Sequence, residues 1–322
     1  MNVHEAFGSY QGYVDAAPES VKEANSRAAT FREALMTMPD VVEVFTSGSL
    51  RRKTHKDPIH DVDVVIVFDA ELHPAWGTPG TSASDALTYT GQTINQILGQ
   101  TNGSVDQLVR RADPRNHAVK CFIDDPEDPN AFTVDAMPAF RTETGLLVPE
   151  ARSRKWVATN PEYLIEEVAR RRAEWTKYQG TVRMLKDWAS IQTGVKVKSL
   201  VMEVLSLIHM PLGGGQPAAL KEFFVRAASF IEDGYAVTDP AGLCGAIQGD
   251  LDYAEFGRRL RVAADGAAAA CSYAALGENA LAIRKWCDVF GDGFPLPPKT
   301  AIIPAAAAAV VAPRPVKDSP QG

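Results

Sequence analysis

The chain has 322 residues, of which 45% are hydrophobic, and a formal net charge of −7 at pH 7. This composition is enough to bury a substantial core in one large or two ordinary domains. The acidic balance argues against long nucleic acid as a stable partner, because such binders are usually basic. The four cysteines show no CxxC spacing, which indicates reduced thiols rather than a metal site.

The N-terminal residues MNVHEAFGSY lack the basic start and the apolar run of a signal peptide. The longest apolar stretch, near residues 301–313, is too short to span a membrane and contains prolines. We therefore expect a cytoplasmic protein that has no membrane partner.

Residues 1–150 predict a mixed α/β domain. Apolar residues recur at helical spacing in its helices, whereas β-branched runs between turn signals predict its strands. The predicted helices are 18–37 and 85–111, the loop is 70–84, and the strands are 41–45, 61–68, 118–124 and 131–140.

After about residue 150 the pattern predicts helices only. Asn160 before Pro161 is a good pair for the N-cap and first position of a helix. The predicted helices are 161–177, 180–193, 197–210, 217–232 and 252–290. We expect a helical domain over residues 151–295, followed by a flexible Pro- and Ala-rich tail over residues 296–322.

Two aspartates stand at the start of the apolar strand DVDVVIVF. Side chains alternate along a strand, so Asp61 and Asp63 point to the same face, about 6–7 Å apart. One interpretation is a pair exposed to solvent at the beginning of a strand. The other is a cation site, because Mg²⁺ prefers carboxylate oxygens and cancels their repulsion.

Two further features favour the cation site. Gly48-Ser49 follows the preceding strand, where a glycine lets backbone amides approach a phosphate and the serine hydroxyl can donate to it. Asp135 lies in FTVDAMP on another candidate strand, which could place it beside the pair. The order of these features is more specific than any of them alone.

GSLRR, HDVDVVIVF and FTVDAMPAF together resemble the DNA polymerase β-type nucleotidyltransferases. More narrowly, the chain resembles the bacterial cyclic-oligonucleotide synthases related to cGAS, the CD-NTases. The helical half supports this narrower resemblance through four segments: GTVRMLKDW (180–188), VKSLVMEVL (197–205), VTDP (237–240) and WCDVFGDGFP (286–295). The whole resemblance runs from about residue 40 to 295.

The resemblance implies an α+β fold, in which a polymerase-β-like palm of mixed sheet and helices is joined to an all-helical second domain. It implies that Asp61, Asp63 and Asp135 are catalytic and bind two Mg²⁺ ions, with Mn²⁺ as an alternative. It further implies that the donor triphosphate is bound by Gly48, Ser49, Lys186 and Ser199. Several relatives carry an aromatic residue directly after the position of Ser199; here it is Leu200, so base stacking at that point is not expected.

The resemblance implies a nucleotidyltransferase that condenses ATP or other NTPs into a cyclic di- or trinucleotide and releases pyrophosphate. In bacteria such a second messenger acts in anti-phage signalling by switching on an effector. Two alternatives stay open: transfer to another acceptor (an RNA end, an antibiotic or a protein), or a non-catalytic nucleotide-binding scaffold. In some relatives a conjugation-type partner links the C-terminus to targets; Gly322 fits that role, and a plain flexible end is the alternative.

Overall fold

The structure is a computed structural model and describes residues 1–99 and 108–297. Its strands are β1 (Val41–Thr46), β2 (Asp61–Phe68), β3 (Arg111–Pro114), β4 (Val119–Phe122), β5 (Thr133–Thr142), β6 (Gly145–Glu150) and β7 (Lys155–Thr159). Its helices are α1 (Val3–Val14), α2 (Pro18–Leu35), α3 (Gly48–Arg52), α4 (Ser82–Leu98), α5 (Pro161–Glu174), α6 (Tyr178–Ser190), α7 (Ser199–His209), α8 (Gln216–Glu232), α9 (Tyr253–Ala275) and α10 (Asn279–Phe290).

The seven strands described form one mixed sheet in the order β1-β2-β5-β4-β3, and β6 and β7 extend it from the end of β5. Strands β2 and β5 run parallel, and the other pairs are antiparallel. Strand β2 is apolar on both faces because both are covered. Val62, Val64 and Ile66 pack in the core with α2 and α4, whereas Val65 and Val67 pack with β6.

The helices after β7 enclose a second core. Helix α1, at the other end of the chain, packs into this core: the ring of Phe7 meets those of Trp286 and Phe294 edge to face, at centroid distances of 5.0 Å each. A capping box between Asn2 and Glu5 starts α1. This N-terminal helix was not predicted from the sequence.

Three predicted elements differ from the structure. The helix expected over 85–111 ends at Leu98, and its last expected residue, Arg111, instead begins β3, which pairs with β4; residues 100–107 lie outside the described chain. The segment after residue 150 is not purely helical, because β7 pairs with β6. The helix expected over 252–290 is two helices, separated at Gly277, whose φ is +79°.

Two other predictions, the cap of α5 and the bounds of β2, are confirmed. Asn160 caps α5 by accepting a hydrogen bond from the Tyr163 amide at 2.9 Å. The predicted strand over 61–68 has the bounds of β2. None of the helices in the described ranges combines the length and the apolar character needed to cross a membrane. Of the tail predicted over residues 296–322, residues 298–322 lie outside the described residues.

Candidate active site

The pairing of β2 with β5 brings the three aspartates together. Asp63 is the direct partner of Asp135 across the parallel pair, and Asp61 is the partner of Thr133. Paired residues of neighbouring strands point to the same face and lie about 4.8 Å apart. The three carboxylates therefore share one face, at the end of β2 where the apolar contacts with β6 stop.

Burial and mutual repulsion disfavour the charged form of these carboxylates. Burial, together with the charges of Asp61 and Asp135, raises the pKa of Asp63 to about 6. Burial also raises the pKa of Asp135, and the positive charges of Lys120 and Arg115 partly oppose that shift. Such a cluster is costly for the fold and is typical of a functional site.

Gly48-Ser49, the phosphate-loop candidate, lies next to the aspartates, and Gly48 makes the contact. Its φ is +64°, and a Cβ added there would lie 1.6 Å from Asp63 Oδ2. Only glycine allows this contact, because any side chain would displace the carboxylate. The amide of Ser47 donates to the Asp63 carbonyl at 2.8 Å, which fixes the approach. The predicted Gly-Ser turn is in fact the start of the five-residue helix α3.

The two predicted residues of the helical half differ in environment. Ser199 is exposed at the first position of α7. Lys186 is only 6% exposed, and its Nζ donates to the Thr54 carbonyl at 2.9 Å and to Glu203 Oε1 at 3.0 Å. Neither contact of Lys186 is with an aspartate of the site, and a phosphate role for Lys186 or Ser199 stays a prediction.

Sequence reasoning missed Lys120 and Glu203. Lys120 on β4 is the direct partner of Asp135, which puts an ammonium group beside the third carboxylate. Its strand, AVKCFID, was predicted, but the register that pairs it with Asp135 was not. Glu203 lies inside the quoted segment VKSLVMEVL, where only its apolar neighbours on the helix hinted at burial.

The residues present fit a divalent cation. Asp135 Oδ1 is buried and has no hydrogen-bond partner among the described residues, so it is an acceptor that a cation would satisfy. Within residues 1–99 and 108–297, no three acidic, histidine or cysteine side chains already stand in metal-binding geometry. Binding a cation therefore requires the carboxylates of Asp61, Asp63 and Asp135 to turn toward one another.

Comparison with known proteins places this site in a family. A family model for a Second Messenger Oligonucleotide or Dinucleotide Synthetase domain matches residues 1–171. A probable cyclic nucleotide synthase of Bacillus cereus is 24% identical over 339 residues, and the match covers 91% of this chain and 98% of that protein.

Two solved structures share the fold. E. coli CdnC with ATP has a TM-score of 0.71 at 17% identity, and the match covers 92% of this chain and 99% of CdnC. Vibrio cholerae DncV, a cyclic AMP-GMP synthase and prokaryotic cGAS homolog, has a TM-score of 0.56 at 13% identity, with 91% of this chain and 87% of DncV covered.

The predicted fold class, an α+β polymerase-β-like palm with a helical domain, is confirmed. Because the family model covers more than half of the chain, this protein belongs to the Second Messenger Oligonucleotide or Dinucleotide Synthetase family and is a nucleotidyltransferase of the bacterial cGAS-like CD-NTase type.

Proposed function

We propose that this protein condenses ATP or other NTPs into a cyclic di- or trinucleotide second messenger for bacterial anti-phage signalling. The observation that carries the proposal is the single acidic face formed by Asp61, Asp63 and Asp135, with Gly48 directly against it. The names of the relatives, which include cyclic nucleotide synthases, support the same activity.

The chain's own residues would bind the donor and move a proton. Gly48 and Ser49 hold the triphosphate through backbone amides and a hydroxyl, and Ser199 reaches it from the exposed start of α7. A ribose hydroxyl oxygen attacks the α-phosphorus, the bond from that phosphorus to the bridging oxygen breaks, and pyrophosphate leaves. The hydroxyl proton passes to Asp135, whose pKa is raised by burial, and the positive charge of Lys120 partly opposes that rise.

Asp61, Asp63 and Asp135 would hold the metal, which we propose to be two Mg²⁺ ions, with Mn²⁺ as an alternative. The ions, when bound, stabilise negative charge on the attacking and leaving oxygens. The last condensation within the same site closes the ring, the second one for a dinucleotide and the third for a trinucleotide, so the protein must retain each linear intermediate and reposition it.

A product assay tests this proposal. The protein is incubated with the four NTPs and Mg²⁺, treated with phosphatase, and the products are analysed by mass spectrometry. We expect a phosphatase-resistant cyclic product, which disappears in the Asp61→Asn/Asp63→Asn variant. Asp69→Asn is the matched control, because Asp69 follows the same strand and is outside the acidic face. A linear product, or a product only when another acceptor is added, would favour the transferase alternative.

We also propose that the product acts through an effector, as second messengers do. Conjugation at Gly322 is a separate proposal about a residue outside the described chain. Removing the last few residues tests it: loss of a covalent adduct in cells supports conjugation, and an adduct that persists contradicts it.

A further inference from the structure

One face of α6 holds segment 52–56, which begins at the last residue of α3 and follows Gly48-Ser49 closely. Three consecutive backbone carbonyls of this segment each accept a hydrogen bond from a different α6 side chain. The donors are spaced four and three residues apart and therefore lie on one helix face. The bonds run from Gln179 Nε2 to the Arg52 oxygen (2.7 Å), from Arg183 Nη1 to the Lys53 oxygen (2.7 Å) and from Lys186 Nζ to the Thr54 oxygen (2.9 Å).

The buried carboxylate of Glu203 completes this attachment from α7. Glu203 is 2% exposed, and it accepts hydrogen bonds from Arg52 Nε at 2.7 Å, Thr54 Oγ1 at 2.9 Å and Lys186 Nζ at 3.0 Å. Burial alone would raise the pKa of Glu203, but the charges and hydrogen bonds of Lys186 and Arg52 outweigh it and lower the pKa to about 2. The carboxylate is therefore ionised at neutral pH and binds both domains.

Segment 52–56 is in turn bonded to the phosphate-loop candidate. The Thr54 amide donates to the Ser49 carbonyl at 3.0 Å, and Gly48 lies against the Asp63 carboxylate. A shift of Thr54 would therefore move Ser49 relative to the acidic face. This chain of contacts runs from the helical core to the catalytic face without a gap.

We propose that Glu203 is a positioning residue, which sets the geometry of Gly48 and Ser49 for the triphosphate by holding Arg52 and Thr54. The proposal rests on the proposed function, because it takes Gly48 and Ser49 as triphosphate ligands. Lys186 acts through the same carboxylate: its ammonium group is satisfied by Glu203 and the Thr54 carbonyl, and it supports the loop rather than contacting phosphate.

The separation of KM from kcat tests the positioning role of Glu203. We expect Glu203→Gln to raise the KM for ATP at least tenfold in a pyrophosphate-release assay. A purely structural role would lower the folded fraction, and hence the apparent kcat, but would leave the KM of the molecules that remain folded unchanged. A lower melting temperature with an unchanged KM would therefore overturn the proposal.

A milder variant keeps the test decisive if Glu203→Gln does not fold. Gln179→Ala removes one neutral hydrogen bond to the Arg52 carbonyl, and we expect a three- to tenfold rise in KM. Gln192→Ala is the matched control, because Gln192 also donates to a backbone carbonyl, that of Trp188 at 2.8 Å, but away from segment 52–56. Equal KM values for the two variants would contradict the proposal.

A double-mutant cycle tests the assignment of Lys186. If Lys186 acts through Glu203, the KM of Glu203→Gln/Lys186→Met equals that of the worse single variant, because both changes remove one interaction. If Lys186 binds phosphate directly, the two losses multiply, and the positioning role assigned to Lys186 is wrong.

Hydrogen exchange separates failure of this inference from failure of the proposed function, because it needs no activity. In the ligand-free protein, we expect Gln179→Ala and Glu203→Gln to speed amide exchange over residues 48–54 and to leave the β2 peptide unchanged. Unchanged exchange over residues 48–54 would overturn the positioning role even in a chain that makes no product. Faster exchange in a chain that makes no product would support the attachment and leave the proposed function as the claim that failed.

Discussion

At the level of single residues, Asp63 carries an electrostatic cost that only a functional site would justify. Its pKa is raised from 3.8 to about 6 by burial and by the charges of Asp61 and Asp135. Because the folded-state value is the higher one, the ionised carboxylate destabilises the fold fully above about pH 6, and the cost vanishes below pH 3.8.

Removing this charge should stabilise the metal-free protein. We expect Asp63→Asn to raise the free energy of unfolding at pH 7.5 by about 1–2 kcal/mol, because the repulsion is gone, and to abolish turnover. Urea denaturation in the presence of EDTA measures the difference. The gain should shrink at pH 5, where Asp63 is largely protonated in the native protein. A less stable variant at pH 7.5 would show that Asp63 is paired rather than repelled.

Gly48 makes a second prediction at this scale. We expect Gly48→Ala to lower kcat/KM at least 100-fold, because its Cβ would lie 1.6 Å from Asp63 Oδ2 in a backbone conformation at φ +64°. Gly8→Ala is the control, because in the described part of the chain a Cβ at that helical position has no contact within 4 Å beyond its chain neighbours and its own helix backbone. It should be neutral or stabilise α1 by roughly 0.5–1 kcal/mol. Full activity of Gly48→Ala would contradict the site.

Single residues also mark the limit of prediction from sequence. The alternation of a strand was enough to place Asp61 and Asp63 on one face, since that depends on local geometry alone. The ion pair between Lys186 and Glu203 joins two helices across a loop, so it depends on how α6 and α7 pack. No local pattern carries that information, and the phosphate contact that the sequence predicted for Lys186 stays a prediction.

At the scale of elements, the sequence predicted those whose pattern is strong. Strand β2 was predicted with its observed bounds because eight residues rich in valine and isoleucine leave little ambiguity. Strand β7, KWVAT, was missed because it is short and only partly buried, and it exists through its pairing with β6. The start of helix α1 is marked in the sequence by Asn2 and Glu5, which form a capping box, but helix α1 was not predicted.

The cap of α5 provides a prediction for an element. We expect Asn160→Ala to destabilise the protein by about 1 kcal/mol, because the Tyr163 amide loses its acceptor, and to leave kcat unchanged. Thermal or urea unfolding measures the loss. Asn25→Ala is the control: within residues 1–99 and 108–297 the Asn25 side chain bonds only the Val21 carbonyl of its own exposed helix turn, so replacement should change stability by less than about 0.5 kcal/mol. Equal effects of the two changes would show that the cap contributes nothing.

At the scale of the whole molecule, the acidic face lies on the sheet, and the side chains that bond segment 52–56, next to Gly48-Ser49, come from helices α6 and α7. The division into residues 1–150 and 151–295 stays a prediction. The structure adds that α1, from the start of the chain, packs in the helical core, and that the Asp57 amide donates to the Val14 carbonyl at 3.1 Å. The sequence indicated two kinds of structure, but their arrangement around one site follows from packing that no local pattern encodes.

The central claim is that Asp61, Asp63 and Asp135 form one cation-binding face, and Mn²⁺ binding measured by electron paramagnetic resonance tests it most directly. We predict that Asp135→Asn weakens Mn²⁺ binding in the presence of a non-hydrolysable ATP analogue at least tenfold, as Asp61→Asn and Asp63→Asn do, whereas Asp69→Asn has no effect. Mn²⁺ affinity in Asp135→Asn equal to that of the unmodified protein would contradict the claim, because the third carboxylate would then lie outside the site.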